Sequence, residues 1–133
     1  MDLRKLSALS LTALALFSGA TLAEGMGVHT TKYALDECKT YLQMSELEVN
    51  PNALQAMHFG SCGGYIRGFY EAVMLEKERE IGPPLLCFPE REWPSLDRLA
   101  QTYVDFVEQR PDLLEKPRFV STYLAFSDAY PCE

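Results

Sequence analysis

The sequence predicts an all-α fold, four helices in two antiparallel hairpins stapled by disulfides. Three observations predict it. Four segments carry apolar residues three and four positions apart, the spacing that lines one face of a helix at roughly 100° per residue. Gly and Pro clusters separate those segments, and no useful run alternates apolar and polar residues as a half-buried strand would. The 133 residues also include four cysteines, Cys38, Cys62, Cys87 and Cys132. An even set of this kind forms disulfides in small exported domains.

The first segment precedes the fold. Arg4 and Lys5 are followed by the apolar run Leu6 to Phe17, then by small residues from Ser18 to Ala23. That order is the order of a secretory signal peptide, with Thr21 and Ala23 placed for cleavage after Ala23. The run is shorter than the roughly 20 residues needed to span a bilayer, and no cysteine lies near the junction to carry a lipid. Residues 1–23 are expected to be a signal peptide and residues 24–133 one exported helical domain. About 110 residues suffice for one core and not for two.

The first helix is expected from Thr30 or Thr31 to about Met44, capped by a threonine, with Ala34, Cys38, Tyr41 and Leu42 inward. Ser45 to Asn50 reads as a short acidic loop containing Glu46 and Glu48. Pro51, after Asn50, suits the first position of the second helix. That helix fades in the charged run Glu76 to Glu80 and stops before Gly82-Pro83-Pro84, which cannot continue it. Its core arc is Phe59, Cys62, Tyr65, Ile66, Phe69 and Val73. Gly60, Gly64 and Gly68 fall on the opposite side, with Gly63 nearby. Each glycine inside a helix costs about 1 kcal/mol relative to alanine, so the stripe implies a close approach to this backbone. Cover by helix one or by the C-terminal segment is the expected cause, and a second copy of the chain is the next.

Leu85 to Trp93 is an irregular connection carrying Cys87, Glu90 and Glu92. Ser95 can cap a third helix whose inward stripe is Leu96, Leu99, Tyr103, Phe106 and Val107, and Pro111 ends it. The fourth helix opens at Pro117, carries Phe119, Val120, Tyr123, Leu124 and Ser127 on one side, and ends at Tyr130-Pro131-Cys132. The hairpins select the cysteine pairing. In the first, Cys38 folds back to the level of Phe59 to Cys62. In the second, Cys87 precedes helix three and Cys132 follows helix four. The expected disulfides are Cys38–Cys62 and Cys87–Cys132.

The formal net charge is −7, and one unit more negative without residues 1–23. Such a balance argues against nucleic acid and anionic membrane surfaces and suits a basic partner. His29 and His58 are the only histidines and no Cys-x-x-Cys occurs. A lone His58–Cys62 pair falls short of the four ligands of a structural zinc site, so no metal and no cofactor is expected. With Cys62 in a disulfide no Cys–His nucleophile remains. No Gly-x-Ser-x-Gly elbow is present, and Gly63-Gly64 lies within a helix instead of following a strand as a phosphate loop does. The pairs Glu46 and Glu48, Glu78 and Glu80, and Glu90 and Glu92 read as solvated surface. Hydrolysis by two carboxylates needs one of them held in an apolar pocket, and nothing in the sequence marks one. The chain is expected to bind and not to catalyse.

Four stretches carry a resemblance. They are Cys62-Gly63-Gly64-Tyr65-Ile66-Arg67-Gly68, Leu86-Cys87-Phe88-Pro89, the helix end at Arg110-Pro111-Asp112, and Ala129-Tyr130-Pro131-Cys132. In that order they resemble the Rap/Tai family of small exported immunity proteins of type VI secretion systems, over roughly Cys38 to Cys132. The sequence departs from the family pattern at Glu71, near where Asp is common, and in the long charged segment Leu75 to Pro84. The resemblance implies a helical periplasmic protein that binds and blocks a secreted effector toxin, a peptidoglycan amidase, and that often forms a homodimer. It implies no catalytic residue. On that expectation the effector-binding surface is formed by the two acidic loops. Glu46, Glu48, Glu90 and Glu92 would meet a basic rim and speed association, and Trp93 would anchor the contact. Burial of Trp93 against the domain's own helices is the competing and favoured placement. Two other functions compete, a periplasmic structural or acid-stress chaperone-like protein without a cognate toxin, and an enzyme acting on envelope polymers.

Overall fold

Among the described residues of the computed structural model, four helices, α1 (Thr31–Glu46), α2 (Ala53–Glu78), α3 (Leu96–Glu108) and α4 (Arg118–Ala129), follow one another, with a 3-10 turn at Pro111–Leu113 before α4. Residues 29–47, 50–79, 86–89 and 92–132 are described. The proposed signal peptide, the Gly82-Pro83-Pro84 stop, Glu48 and Glu90 lie outside them.

Three of the helices begin where a short polar side chain can accept a free backbone N–H. Thr30 accepts from Tyr33 N at the start of α1, and Ser95 accepts from Arg98 N at the start of α3. Asn52 accepts from Gln55 N, and the Gln55 side chain accepts in return from Asn52 N. That reciprocal cap satisfies two donors at once, which is why α2 starts after Asn52 and not at Pro51 as the sequence suggests. The first helix also runs beyond Met44 to Glu46, so Ser45 and Glu46 close a helix instead of opening a loop.

α2 spans 26 residues, about 39 Å at 1.5 Å per residue. α1 packs against its N-terminal half. Tyr33 packs edge-on to His58, Cys38 is bonded to Cys62, and Tyr41 stacks on Phe59. The same Tyr41 ring covers Gly63, where an added Cβ would stand 3.2 Å from Tyr41 Cε2. The close approach that the glycines imply is therefore made at Gly63. At Gly60, Gly64 and Gly68 an added Cβ meets nothing within 4 Å. Neither α1 nor the C-terminal segment covers that face, which overturns the expected internal packing.

α3 supplies the strongest apolar stripe, and Leu99, Ala100, Tyr103, Val104 and Val107 are all buried. α4 turns the opposite side inward from the one its apolar residues suggest. Its buried residues are Ser121, Thr122, Ala125 and Phe126, while Phe119 and Tyr123 are exposed. Hydrogen bonds explain the rotation. Thr31 Oγ1 lies 2.9 Å from both the Lys116 carbonyl and Ser121 Oγ, and the Tyr103 hydroxyl lies 3.1 Å from Ser121 Oγ. Tyr65 Oη pairs with Thr122 Oγ1 at 3.1 Å. Among the described residues no buried side-chain polar atom lacks a partner, so this polar layer avoids the desolvation penalty that usually keeps such groups outside. The near-buried Glu37 faces Arg118, whose guanidinium lies 4.0 Å from the Tyr65 ring centroid.

The second disulfide, Cys87–Cys132, joins the segment before α3 to the C-terminal segment. Cys87 N also donates to the Tyr130 carbonyl at 3.1 Å. Both bridges match the pairing expected from the order of the helices. None of the described helices is long and apolar enough to cross a membrane.

Candidate functional site

The site is assembled from a chain of rings. The Cys87–Cys132 bridge and the Cys87–Tyr130 hydrogen bond hold Phe88 against Tyr130, with ring centroids 4.7 Å apart. Phe88 is buried and meets Tyr70 of α2 edge-on at 4.8 Å. Tyr70 in turn meets Trp93 edge-on at 5.9 Å. Such edge-to-face pairs are each worth about 0.5–1.5 kcal/mol beyond the area they bury. Trp93 is the outermost ring of this stack and is 61% exposed. It is not buried against the helices, as its size suggested. Two residues on, Ser95 caps α3, so the tryptophan sits on a short rigid link between an aromatic cluster and a helix start.

Between Trp93 and α2 lies a groove of about 370 Å³ lined by Arg67, Tyr70, Glu71, Trp93, Pro94, Leu96 and Leu99. Its floor is apolar. Its rim carries an ion pair, Arg67 Nε to Glu71 Oε1 at 2.8 Å, spaced i to i+4 on α2. Exposed pairs of this kind contribute only a few tenths of a kcal/mol to stability. Burial pushes the Tyr70 hydroxyl up from the ordinary tyrosine range, so it remains a neutral hydrogen-bonding group at physiological pH.

The acidic residues singled out in the sequence fall into separate places. Glu46 is exposed in the last turn of α1, and Glu92 is exposed immediately before Trp93. The bond from Tyr41 Oη to Asp97 Oδ1, at 2.6 Å, ties the second half of α1 to the first turn of α3. Glu48 and Glu90 lie outside the described residues. The sequence reading missed Tyr70, which looks like one more core aromatic. It also gave Arg67 no role beyond its place in the Cys62 to Gly68 stretch and Glu71 none beyond a departure from the family pattern, although their i to i+4 spacing was a readable sign of a paired rim.

All four cysteines are in disulfides, leaving no thiol to act as a nucleophile. Among the described residues no group of three or more His, Cys, Asp or Glu side chains could hold a metal. His58 packs on Tyr33 and His29 is exposed at the start of the described chain.

Residues 30–132 match the family described as Rap1a immunity proteins. No curated protein and no solved structure gives a significant match.

Proposed function

The chain belongs to the family of Rap1a immunity proteins, and from that premise we propose that it binds and neutralises a cognate type VI secretion effector. The observation that carries this reading is the extent of the match. Residues 30–132 take in all four helices and both disulfides. The effector class we assign is a peptidoglycan amidase, and the compartment is the periplasm, reached through residues 1–23 with cleavage after Ala23. The protein acts as a stoichiometric inhibitor and not as an enzyme.

A rigid, cross-linked helical scaffold suits that role because little conformational freedom remains to be lost on binding. The acidic side chains Glu46, Glu48, Glu90 and Glu92 steer a basic partner towards the molecule. Trp93 anchors it, as tryptophan commonly does at the centre of an interface.

The test is to direct the effector encoded beside this chain's gene to the periplasm of a sensitive host, with and without this chain. Co-expression is expected to prevent lysis. Purified protein should also block release of cleaved stem peptides from peptidoglycan at equimolar amounts. Undiminished lysis in the presence of well-expressed protein overturns the proposal. Deleting residues 1–23 should abolish protection, and protein recovered from the periplasm should begin at Glu24.

A further inference from the structure

The groove beside Trp93 can receive a partner's side chain as well as present one of its own. We propose that it takes up one apolar side chain, flanked by lysine or arginine, from the surface of the effector. This rests on the immunity reading above and specifies which surface does the binding and what it recognises.

Three observations support it. The first is rigidity. Trp93 stands on Tyr70, Tyr70 on the buried Phe88, and Phe88 on Tyr130 beside the Cys87–Cys132 bridge. A ring left 61% exposed at the end of such a stack is held ready for contact. Tryptophan and tyrosine are the residue types that dominate binding hot spots.

The second is shape and polarity. At about 370 Å³ the groove lies near the lower end of the range of ligand pockets, roughly 300–1,000 Å³. Pro94, Leu96 and Leu99 give it an apolar floor. The Arg67–Glu71 pair at the rim satisfies much of its charge internally, so it competes little with an entering methyl or aromatic group. An apolar side chain is the occupant that this floor suits best.

The third is charge, which decides between occupants. Glu92 is exposed next to Trp93, and the chain as a whole carries −7. A second copy brings a like net charge to the acidic surroundings of Trp93, whereas a protein with basic residues around its apolar anchor is attracted there.

Trp93 is the chain's only tryptophan, so fluorotryptophan labelling places a single fluorine reporter in the groove. The experiment uses protein recovered from the periplasm and the purified effector encoded beside its gene. On addition of the effector the fluorine NMR signal is expected to shift. Trp93→Ala should weaken binding by about 10- to 100-fold while the circular dichroism and melting temperature stay near those of the parent. Phe119→Ala, at an exposed ring on α4, should change affinity by no more than about twofold.

Binding of the effector by the parent with an unmoved fluorine signal, and unchanged affinity in Trp93→Ala, overturns the groove and leaves the immunity reading intact. Failure of the parent itself to bind or protect overturns the immunity reading instead. Two further results also reject the proposal. One is a dimer of this chain that Trp93→Ala dissociates, which assigns the groove to self-association. The other is a fluorine signal moved by soluble peptidoglycan fragments and not by the effector, which assigns it to a glycan.

Discussion

Tyr103 illustrates how single side chains set the behaviour of this core. It is fully buried and its hydroxyl lies 3.1 Å from Ser121 Oγ. Burial pushes its pKa up to about 12, against the opposing pull of the Ser121 hydrogen bond. Tyr41 is likewise pushed up to about 12, first by burial and then by its hydrogen bond to Asp97 and the charge of that carboxylate. A folded pKa above the unfolded one means that the unfolded chain loses its protons first as pH rises. The stabilisation is therefore complete below about pH 10 and is lost between about pH 10 and pH 12. Urea unfolding at about pH 8 and about pH 11 should show this loss, and Tyr103→Phe should lose less between the two than the parent. Equal losses would remove Tyr103 from the account. At neutral pH the same variant should cost only about 1 kcal/mol, because Ser121 Oγ keeps Thr31 and the Arg118 carbonyl as partners. Trp93 belongs to this scale too. Its exposure could not be read from the sequence, because a tryptophan followed by Pro94 fits a buried corner as well as a protruding one. Only the position of Tyr70 settles it.

At the scale of elements, α2 separates two uses of glycine that the sequence presents as one stripe. Gly64 faces open space and lies within the helix, so Gly64→Ala should raise stability by up to about 1 kcal/mol through helix propensity alone. Gly63 is buried under Tyr41, with an added Cβ 3.2 Å from that ring. Tyr41 has little room to retreat, since it stacks on Phe59 at 4.7 Å and bonds to Asp97. Gly63→Ala should therefore lower stability by about 1 kcal/mol net, the overpacking exceeding the propensity gain. Thermal melts of the two variants check this, and a stabilised Gly63→Ala would refute the close packing. The starts of α1 and α3, the inward arcs of α1, α2 and α3, and the end of α3 before Pro111 were legible because caps, prolines and apolar periodicity are local signals. The orientation of α4 was not. Its inner side is built on Ser121 and Thr122, which are buried because their partners Thr31, Tyr103 and Tyr65 come from other helices. Periodicity scores them as outward and groups Phe119 and Tyr123 with Val120 and Leu124, on a side where both rings are exposed.

The two bridges divide the whole molecule into parts of unequal accessibility, and that division makes a further prediction. Cys38 and Cys62 are each 1% exposed, whereas Cys87 and Cys132 are exposed. Thiol–disulfide exchange requires a thiolate to reach a sulfur, so mild reductant should open Cys87–Cys132 well before Cys38–Cys62. Trapping the reaction with an alkylating reagent and mapping the labelled peptides reads the order directly. Early label on Cys38 or Cys62 would contradict the placement of that bridge in the core. The exposed bridge closes a sequence separation of 45, for which loss of the crosslink costs about 4 kcal/mol on the chain-entropy account. That is a large share of the roughly 5–15 kcal/mol that keeps a domain folded. The melting temperature should therefore fall clearly. The helical signal should persist at room temperature, because α1, α2 and α3 remain joined through Cys38–Cys62, Tyr41 and Asp97. The segment that loosens is the one supporting Phe88, and through it Tyr70 and Trp93. Selective opening of this bridge should weaken effector binding before it unfolds the chain, a dissociation that titration calorimetry and circular dichroism on the same singly reduced sample can measure together.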